Sequence, residues 1–337
     1  MQRVLVNRYG GPEVLELAEQ DPPRPGRGEA RVRVLAAGVS YADLLIRAGA
    51  YMGGPRPPFT PGYELVGIVD EVGEGCSALR VGQRVAALTV SGSYAEHVCL
   101  PETALIPVPA ETDPAQTVSL VLNYVTAHQL LHRVAGAARG ESVLVHGAAG
   151  GVGTAVLELA PRAGLRVLGT ASTSRCDLVA RLGATPIDRT QEDFVARARQ
   201  LTGGGVDVAL DGIGGRLSLR SYRALGRGGR LVIFGHASTM AGGRRSMRGW
   251  LSWYAATGLV GAAGLVSPRR SVLPYRIAKL RDRHPEWFRD DLTKLAELLR
   301  RGEIDPIVAE RLPLGEARRA HELLGAGAVQ GKLVLVP

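Results

Sequence analysis

Hydrophobic positions along the chain follow two successive patterns. Up to about residue 120, short apolar runs such as 30–37 and 65–72 are separated by glycine and proline, which is typical of β-strands. Between residues 117 and 134, leucine, valine and alanine recur at helical spacing. The first part of the chain is therefore predicted to form a β-rich domain.

Strand-like and helical segments alternate in the part that follows. The predicted strands are 142–146, 166–170, 185–188, 206–210 and 230–234. Such alternation predicts a doubly wound α/β fold, in which helices cover both faces of a parallel sheet. Farther along, 285–301 is predicted to be an amphipathic helix with proline near its start, and 331–336 a strand.

A glycine-rich turn joins the first of these strands to a helix, in the sequence SVLVHGAAGGVGTAVLELAPR (142–162). Gly150 and Gly153 stand at the second and third positions of a G-x-G-x-x-G fingerprint, and Ala148 stands at the first. In such a turn the pyrophosphate of a dinucleotide faces the unpaired N–H groups of the helix N-terminus. An ordinary strand-to-helix turn is the alternative. The predicted cofactor-binding residues of the turn are Ala149, Gly150, Gly151, Val152 and Gly153.

The end of the next predicted strand indicates which dinucleotide binds. An NAD site uses a carboxylate there to bind the ribose hydroxyls, whereas an NADP site uses neutral or basic residues. The chain has TASTSR at 170–175, and its first carboxylate comes only at Asp177. We therefore predict NADPH, with Ser172 and Arg175 binding the 2′-phosphate. The alternative for Arg175 is a solvated residue on the next helix.

Composition changes this picture little. The 337 residues are 45% hydrophobic and 22% charged, as in a globular protein of two domains. Basic residues are scattered among acidic ones despite a net charge of +9, so no nucleic-acid partner is expected. Three cysteines without C-x-x-C spacing argue against structural zinc and, with no apolar signal segment at the start, predict a cytoplasmic protein.

One nearly uncharged stretch, residues 250–266, needs a separate interpretation. Its apolar character between arginines resembles a membrane span. The stretch is short for that purpose and contains three glycines besides a serine and a threonine. We therefore predict a buried helix or a helical lid over a pocket, with membrane contact as a less favoured alternative.

Several motifs together resemble a known family. They are YGGPEVLEL at 9–17, AAGVSYADLLIRAGAY at 36–51, PGYELVGIVDEVG at 61–73, GQRV at 82–85, NYVTAH at 123–128, the glycine turn, and the tail 330–337. The chain is similar over its whole length to the medium-chain dehydrogenase/reductase superfamily. Within it, the resemblance is to the zinc-free quinone oxidoreductase branch that includes zeta-crystallin, near the group of the synaptic vesicle membrane protein.

The resemblance implies the domain organisation. Residues 1–122 and 284–337 would form a GroES-like catalytic domain, and residues 123–283 would form a Rossmann domain inserted into it. Cofactor and substrate would then meet in the cleft between domains. A homodimer is also implied, and the strand-like run 272–277 is a candidate to extend the sheet across a two-fold axis.

Two departures from the zinc-using relatives bear on the chemistry. Ser40 and Tyr63 stand where those alcohol dehydrogenases have zinc-binding cysteine and histidine, and the four-cysteine loop is missing. We therefore predict no metal. The resemblance then implies hydride transfer from NADPH to a quinone or to the β-carbon of an α,β-unsaturated carbonyl, an acceptor already activated by conjugation.

The resemblance also implies roles for single residues around the reacting groups. Tyr51 is the candidate proton donor, with a pocket-wall aromatic as its alternative, and Tyr41 would lie near the nicotinamide. Ser40 replaces an asparagine common in the family, which makes one cofactor or substrate hydrogen bond uncertain. The implied cofactor contacts are Asn123, Thr126, Gly235 and Lys332 towards the nicotinamide and Arg189 at the adenine or the 2′-phosphate; for Arg189 a surface position is the alternative.

Two other functions stay open at this point. An enoyl-thioester reductase would need positive charge for a long phosphorylated carrier, and Arg244, Arg245 and Arg248 are candidates for it. A protein that binds NADPH with little turnover and acts at membranes or on RNA is the second alternative, supported by the apolar stretch 250–266.

Overall fold

The computed structural model describes residues 1–267 and 269–337. Seventeen strands lie within these residues. In chain order they are β1 Gln2–Val6, β2 Leu15–Glu19, β3 Glu29–Val39, β4 Glu64–Val72, β5 Arg84–Leu88, β6 His97–Pro101, β7 Ile106–Pro107, β8 Ser142–His146, β9 Arg166–Ala171, β10 Thr185–Asp188, β11 Val206–Asp211, β12 Leu225–Ile233, β13 Met240–Ala241, β14 Arg244–Arg245, β15 Ser271–Pro274, β16 Val308–Pro313 and β17 Lys332–Val336.

Eleven α-helices lie in the same described ranges. They are α1 Tyr41–Arg47, α2 Pro114–Ser119, α3 Val125–His128, α4 Gly151–Arg162, α5 Cys176–Arg181, α6 Phe194–Thr202, α7 Arg216–Ala224, α8 Met247–Val266, α9 Ile277–Arg283, α10 Pro285–Arg300 and α11 Ala317–Gly325. Two π-helical segments, Leu120–Tyr124 and Gln129–Val134, flank α3.

Residue contacts divide the chain into two compact units. The first contains Met1–Val125, Gly242–Arg244 and Arg281–Pro337. The second contains Thr126–Ala241 and Arg245–Leu280. The second unit therefore interrupts the first along the sequence.

A mixed sheet forms the centre of the first unit. Its strands follow the order β16-β17-β3-β4-β5-β7, and β6 also pairs with β3. Along β3, Val32 and Val34 are buried while Arg33 between them is exposed, the period of two expected for a strand with one face on the core. The β-rich first domain predicted from short apolar runs corresponds to this sheet.

A parallel sheet forms the centre of the second unit. Its order is β10-β9-β8-β11-β12-β15, and neighbouring strands run parallel throughout. All five residues of β8 are buried, which explains why its three central residues, Val143, Leu144 and Val145, are all apolar and do not alternate with polar ones. The predicted parallel α/β fold is confirmed.

Helix α8 corrects one prediction. Ser246 caps it, because the Ser246 hydroxyl accepts a hydrogen bond from the Gly249 N–H at 3.1 Å. Among the described residues, α8 packs on α7, on β15 and on the 3₁₀ turn Ala237–Thr239, and its buried side chains Trp250, Ala256 and Val260 share one side of a helix that is apolar on all sides. Of the two predicted forms, the buried helix is therefore wrong, and the helical lid stays a prediction. Large side chains exposed on it are Met247, Leu251, Tyr254, Leu259, Leu265 and Val266.

Two expectations linked to this region have different outcomes. Among the residues that the structure describes, no helix combines the length and apolar character needed to cross a membrane. The run predicted as a strand at 272–277 forms β15 at Ser271–Pro274, an edge of the parallel sheet that pairs with β12. The homodimer stays a prediction.

Candidate active site

The glycine-rich turn has the geometry of an anion-binding helix N-terminus. It runs from β8 to α4, and Gly147 adopts a φ of 66°, which favours glycine. Gly150 is the N-cap residue, and no side chain caps the first N–H groups of this 12-residue helix. A Cβ at Gly153 would lie 2.6 Å from the carbonyl carbon of Ala148, so glycine is needed there for close packing. These backbone donors fit a pyrophosphate.

Ser172 and Arg175 lie at the same edge of the sheet as this turn. Ser172 directly follows β9, which pairs with β8 in parallel, so both strands end on the same side. The Arg175 N–H donates to the Ser172 carbonyl at 2.9 Å and closes a short 3₁₀ turn. Arg175 is half-buried. The two predicted phosphate-binding residues are therefore brought together beside the glycine turn.

Asp188 is a carboxylate near this turn that inspection of the sequence missed. It ends β10, and its carboxylate accepts hydrogen bonds from the Thr173 hydroxyl at 2.5 Å and from the Thr190 hydroxyl at 2.6 Å. The hydrogen bond from Thr173 has the largest effect, and together these bonds hold the pKa of Asp188 below its usual value. Arg189, which follows it, is exposed, and its N–H donates to the Ala171 carbonyl at 2.9 Å. The sequence signal that could have identified Asp188 is its position at the end of the third predicted strand of the parallel sheet, 15 residues after Thr173.

Other predicted residues of the second unit lie at strand or helix ends. Gly235 follows β12 by two residues, at the carboxyl edge of the parallel sheet. Thr126 is buried in α3. A buried carboxylate that was not predicted, Asp211 at the end of β11, shapes the next loop: it accepts from the Gly214 N–H at 2.9 Å and from the Ser218 hydroxyl at 2.6 Å.

Ser40 and Asp43 form a capping box at the start of α1. The Ser40 hydroxyl donates to Asp43 Oδ2 at 2.6 Å, and the Asp43 N–H donates back to Ser40 Oγ at 3.3 Å. The Gly62 N–H donates to the other oxygen, Oδ1, at 3.2 Å. Burial raises the pKa of Asp43 to about 6 although the Ser40 bonds oppose it. Ser40 is thus a helix cap, and its catalytic role stays a prediction, as does that of the partly exposed Tyr41.

A second buried group of polar side chains contains Arg47, His321 and Tyr94. Arg47 Nη1 lies 3.1 Å from His321 Nδ1, and because a guanidinium only donates, Nδ1 accepts and the proton sits on Nε2. That Nε2 lies 3.3 Å from the Tyr94 hydroxyl. Burial, with the Arg47 charge, keeps the pKa of His321 well below its usual value, so the ring is neutral. The neutral ring of His321 therefore links the Arg47 cation to the Tyr94 hydroxyl.

An ion pair between Glu64 and Lys332 lies in the core of the first unit. Both side chains are at most 3% exposed, and the Lys332 ammonium donates to Glu64 Oε1. The pair crosses β3 above Gly38, where a Cβ would lie 2.6 Å from Lys332 Cε. Burial raises the pKa of Glu64, and the lysine charge opposes this. The ammonium of Lys332 is engaged in this pair, and its predicted cofactor contact stays a prediction.

Glu64 also connects this pair to the predicted residue Asn123. Its other oxygen, Oε2, accepts a hydrogen bond from the Leu122 N–H at 2.7 Å. Leu122 and the buried Asn123 belong to the π-helical segment Leu120–Tyr124. Such segments frequently mark functional positions in helices, because they rotate the following side chains out of the regular pattern.

Tyr51 and Tyr63 bring two hydroxyls together. The oxygens are 2.7 Å apart, and the rings meet edge to face at 6.0 Å between centroids. Tyr63 is buried and Tyr51 is half-buried. Since Gly62 binds Asp43, the predicted residues Ser40 and Tyr51 are connected through Asp43 and residues 62–63.

Comparisons with known proteins identify the family. Residues 26–110 match the alcohol dehydrogenase GroES-like domain, and residues 182–335 match a zinc-binding dehydrogenase domain. The chain is 32% identical to the mouse synaptic vesicle membrane protein VAT-1 homolog, over 99% of this chain and 83% of the relative. It is 31% identical to rat quinone oxidoreductase, over 100% of this chain and 98% of the relative. It belongs to the quinone oxidoreductase and VAT-1 homolog group of the medium-chain dehydrogenase/reductase superfamily.

Solved structures agree with this membership. Escherichia coli quinone oxidoreductase, crystallised with NADPH, is 29% identical, and each chain is covered completely at a TM-score of 0.86. The human VAT-1 homolog-like protein is 27% identical at a TM-score of 0.83, over 100% of this chain and 98% of that one. The predicted family, the GroES-like first domain and the Rossmann-type α/β fold are confirmed, and the protein is an oxidoreductase of this superfamily.

The Glu64–Lys332 pair generates a stability prediction. Replacing Lys332 with Met leaves a buried carboxylate without its cation, so the free energy of unfolding should fall by about 3–5 kcal/mol. Adding Glu64→Gln removes the orphaned charge and keeps an acceptor for the Leu122 N–H, and should recover most of the loss. Urea unfolding of the single and double variants measures both effects.

The exposed pair Arg318–Glu322, at 3.0 Å, provides the matched control. Arg318→Met should cost less than about 1 kcal/mol, because solvent screens that pair. Equal costs for Lys332→Met and Arg318→Met would contradict a special contribution of the buried pair to stability.

Proposed function

We propose that this protein is an NADPH-dependent, zinc-independent reductase that transfers hydride to a quinone or to the β-carbon of an α,β-unsaturated carbonyl. The observation that carries the proposal is the uncapped glycine turn at the start of α4. It stands in a chain that is similar over its full length to an Escherichia coli quinone oxidoreductase crystallised with NADPH. Rat quinone oxidoreductase, similar over the same length, supports the reaction class.

The residues present fit NADPH. In this proposal residues 149–153 bind the pyrophosphate through backbone N–H groups, and Ser172 and Arg175 bind the 2′-phosphate through a hydroxyl and a guanidinium. When bound, NADPH supplies the hydride. The proposed contacts at the nicotinamide end are Asn123, Thr126 and Gly235, and Arg189 is proposed at the adenine side.

Arg175 has a particular task in this proposal. The Asp188 carboxylate holds the Thr173 hydroxyl in the same turn, and a carboxylate there repels a 2′-phosphate. A guanidinium two residues after Thr173 offsets that repulsion and supplies several N–H donors to phosphate oxygens. Preference for NADPH over NADH therefore depends on Arg175.

Ser40 and Tyr63 stand at the positions where zinc-using alcohol dehydrogenases have metal ligands, and their side chains support zinc-independent chemistry. The Ser40 hydroxyl donates to Asp43, and the Tyr63 hydroxyl bonds that of Tyr51. Zinc sites of dehydrogenases are built from thiolate and imidazole, which neither residue offers. Within residues 1–267 and 269–337, no group of three or more His, Cys, Asp or Glu side chains could hold a metal ion.

Tyr51 is the proposed proton donor to the reduced acceptor. A phenol is protonated at neutral pH and donates to a developing enolate without special activation. The Tyr51 side chain is half-buried, which supports access of a bound substrate and of water to it. The enclosed Tyr63 does not have this access, since only 1% of its surface is exposed.

The proposed reaction predicts which acceptors the purified protein reduces. Loss of reduced-nicotinamide absorbance should be rapid with NADPH and a small quinone or a 2-alkenal, slower with NADH, and unchanged after dialysis against a zinc chelator. Preference for an enoyl thioester would assign the protein to the alternative reductase class. Binding of NADPH without turnover of any acceptor would contradict the proposed reaction.

Replacing Arg175 with Ala tests the phosphate site. The dissociation constant for NADPH should rise about 10- to 100-fold, because a charge-assisted hydrogen bond is lost, while that for NADH should change less than about twofold. Arg181→Ala, an exposed arginine at the end of α5, is the matched control and should change neither. Isothermal titration with both cofactors measures this. Equal weakening of NADPH and NADH would remove Arg175 from the phosphate site.

A further inference from the structure

The hydroxyls of Tyr51 and Tyr63 form a hydrogen-bonded pair, so a second residue lies directly beside the proposed proton donor. At 2.7 Å the hydroxyl oxygens of Tyr51 and Tyr63 have the usual separation of an O–H···O hydrogen bond. A phenol hydroxyl donates one hydrogen and accepts through two lone pairs. One of the two hydrogens therefore lies between the oxygens, and the other belongs to whichever tyrosine accepts.

The backbone around Tyr63 is held from several sides. The Gly62 N–H donates to Asp43 Oδ1 at 3.2 Å, and the Gly62 carbonyl accepts from the Thr89 hydroxyl at 2.8 Å. The Tyr63 carbonyl accepts two N–H bonds, from Thr89 at 2.8 Å and Val90 at 3.1 Å. These hydrogen bonds hold the backbone of residues 62 and 63 against fixed partners, which limits movement of the Tyr63 ring.

The backbone of Val90 is strained in this arrangement. Its φ is 66°, a left-handed value that is strained for a β-branched residue. The same residue directs its N–H to the Tyr63 carbonyl. Strain of this kind persists only where surrounding contacts over-determine the backbone, and it concentrates at functional sites.

On the other side of Tyr63 lies the buried ion pair. Glu64 is the next residue, and its carboxylate is bound by Lys332 and by the Leu122 N–H. Asp43 and the ion pair therefore fix the chain immediately before and after Tyr63. The Tyr63 hydroxyl is a preorganised group at the edge of a rigid polar frame, whereas Tyr51 lies in a turn after α1.

We propose that Tyr63 is a positioning residue that donates its hydrogen bond to the Tyr51 oxygen and so directs the Tyr51 proton to the reduced acceptor. This inference rests on the proposed function, because it assumes that Tyr51 protonates that acceptor. It adds a residue whose contribution depends on its hydroxyl and not on its ring alone.

The step balances within these groups and water. The Tyr51 O–H bond breaks as a new bond from that hydrogen to the acceptor forms, and the electron pair stays on the Tyr51 oxygen. The resulting phenolate receives the Tyr63 O–H as a charge-assisted hydrogen bond, which is stronger than a neutral one. Water then returns a proton to the half-buried Tyr51. Tyr63 keeps its own proton, because a fully buried phenolate loses the solvation of its charge.

Tyr63→Phe tests this inference, since it removes one oxygen and keeps the ring. We expect kcat to fall about 10- to 100-fold with KM for NADPH unchanged, as expected for loss of a hydrogen bond to the charged form. The solvent deuterium isotope effect on kcat should increase, because transfer of the Tyr51 proton becomes slower while hydride transfer is unchanged. A ring that only filled space would not change this isotope effect.

Two further variants complete the test. Tyr51→Phe should lose at least as much activity, and the double variant should lose no more than Tyr51→Phe, because the two hydroxyls act as one unit. Tyr222→Phe is the control: its hydroxyl donates to the Ala263 carbonyl at 3.2 Å in the other unit, and its removal should leave kcat and the solvent isotope effect unchanged.

The outcomes separate this inference from the proposed function. If the wild type reduces quinones or enones but Tyr63→Phe keeps full kcat and the original solvent isotope effect, or if Tyr51→Phe is fully active, the positioning role is wrong and the reductase function stands. If the wild type reduces no acceptor, the function fails. The pair is then judged by ¹³Cζ-tyrosine NMR at one fixed pH: the chemical shift of the Tyr51 signal should change in Tyr63→Phe, because its oxygen loses a hydrogen bond, and an unchanged shift overturns the inference.

Discussion

The ion pair between Glu64 and Lys332 is the constraint on which the first unit depends. Two charges without solvent contact are tolerable only together, and they meet across β3 at Gly38, the one residue type that leaves room for them. The pair joins the start of β4 to the start of β17, and through Glu64 it also holds the Leu122 N–H. Segments far apart in the sequence are thereby fixed against one another.

The proposed catalytic groups are placed relative to this pair. Tyr63 precedes Glu64, and Ser40, two residues beyond Gly38, caps α1 and binds Asp43. Asp43 in turn binds the Gly62 N–H, and the Tyr63 hydroxyl bonds that of Tyr51. Ser40, Tyr51 and Tyr63 are thus held through contacts that begin at Gly38 and Glu64. Such a frame holds a proton-donating hydroxyl in a defined position.

In the second unit the predicted cofactor contacts of the glycine turn are backbone N–H groups. Its glycine turn could be recognised from sequence because glycine spacing after an apolar run is a local signal, and the parallel sheet because strands and helices alternate. The buried network could not be recognised in this way. Arg47 and His321 are 274 residues apart, and nothing local distinguishes them from a surface arginine and a loop histidine. Asp188 was missed for a related reason, because its carboxylate contacts the turn at 172–175 from β10, the neighbouring strand. Helix α8 was misjudged because an apolar sequence does not reveal how many of its sides the chain covers.

The central claim is direct hydride transfer from NADPH to a conjugated carbonyl with a proton from the solvent-exchangeable tyrosine. It is tested most directly with NADPH that carries deuterium at both positions of the nicotinamide C4, an enone acceptor and ordinary water. Mass and NMR analysis should find one deuterium at the β-carbon of the product and hydrogen from water at the α-carbon. Consumption of the enone without deuterium at the β-carbon would contradict the claim.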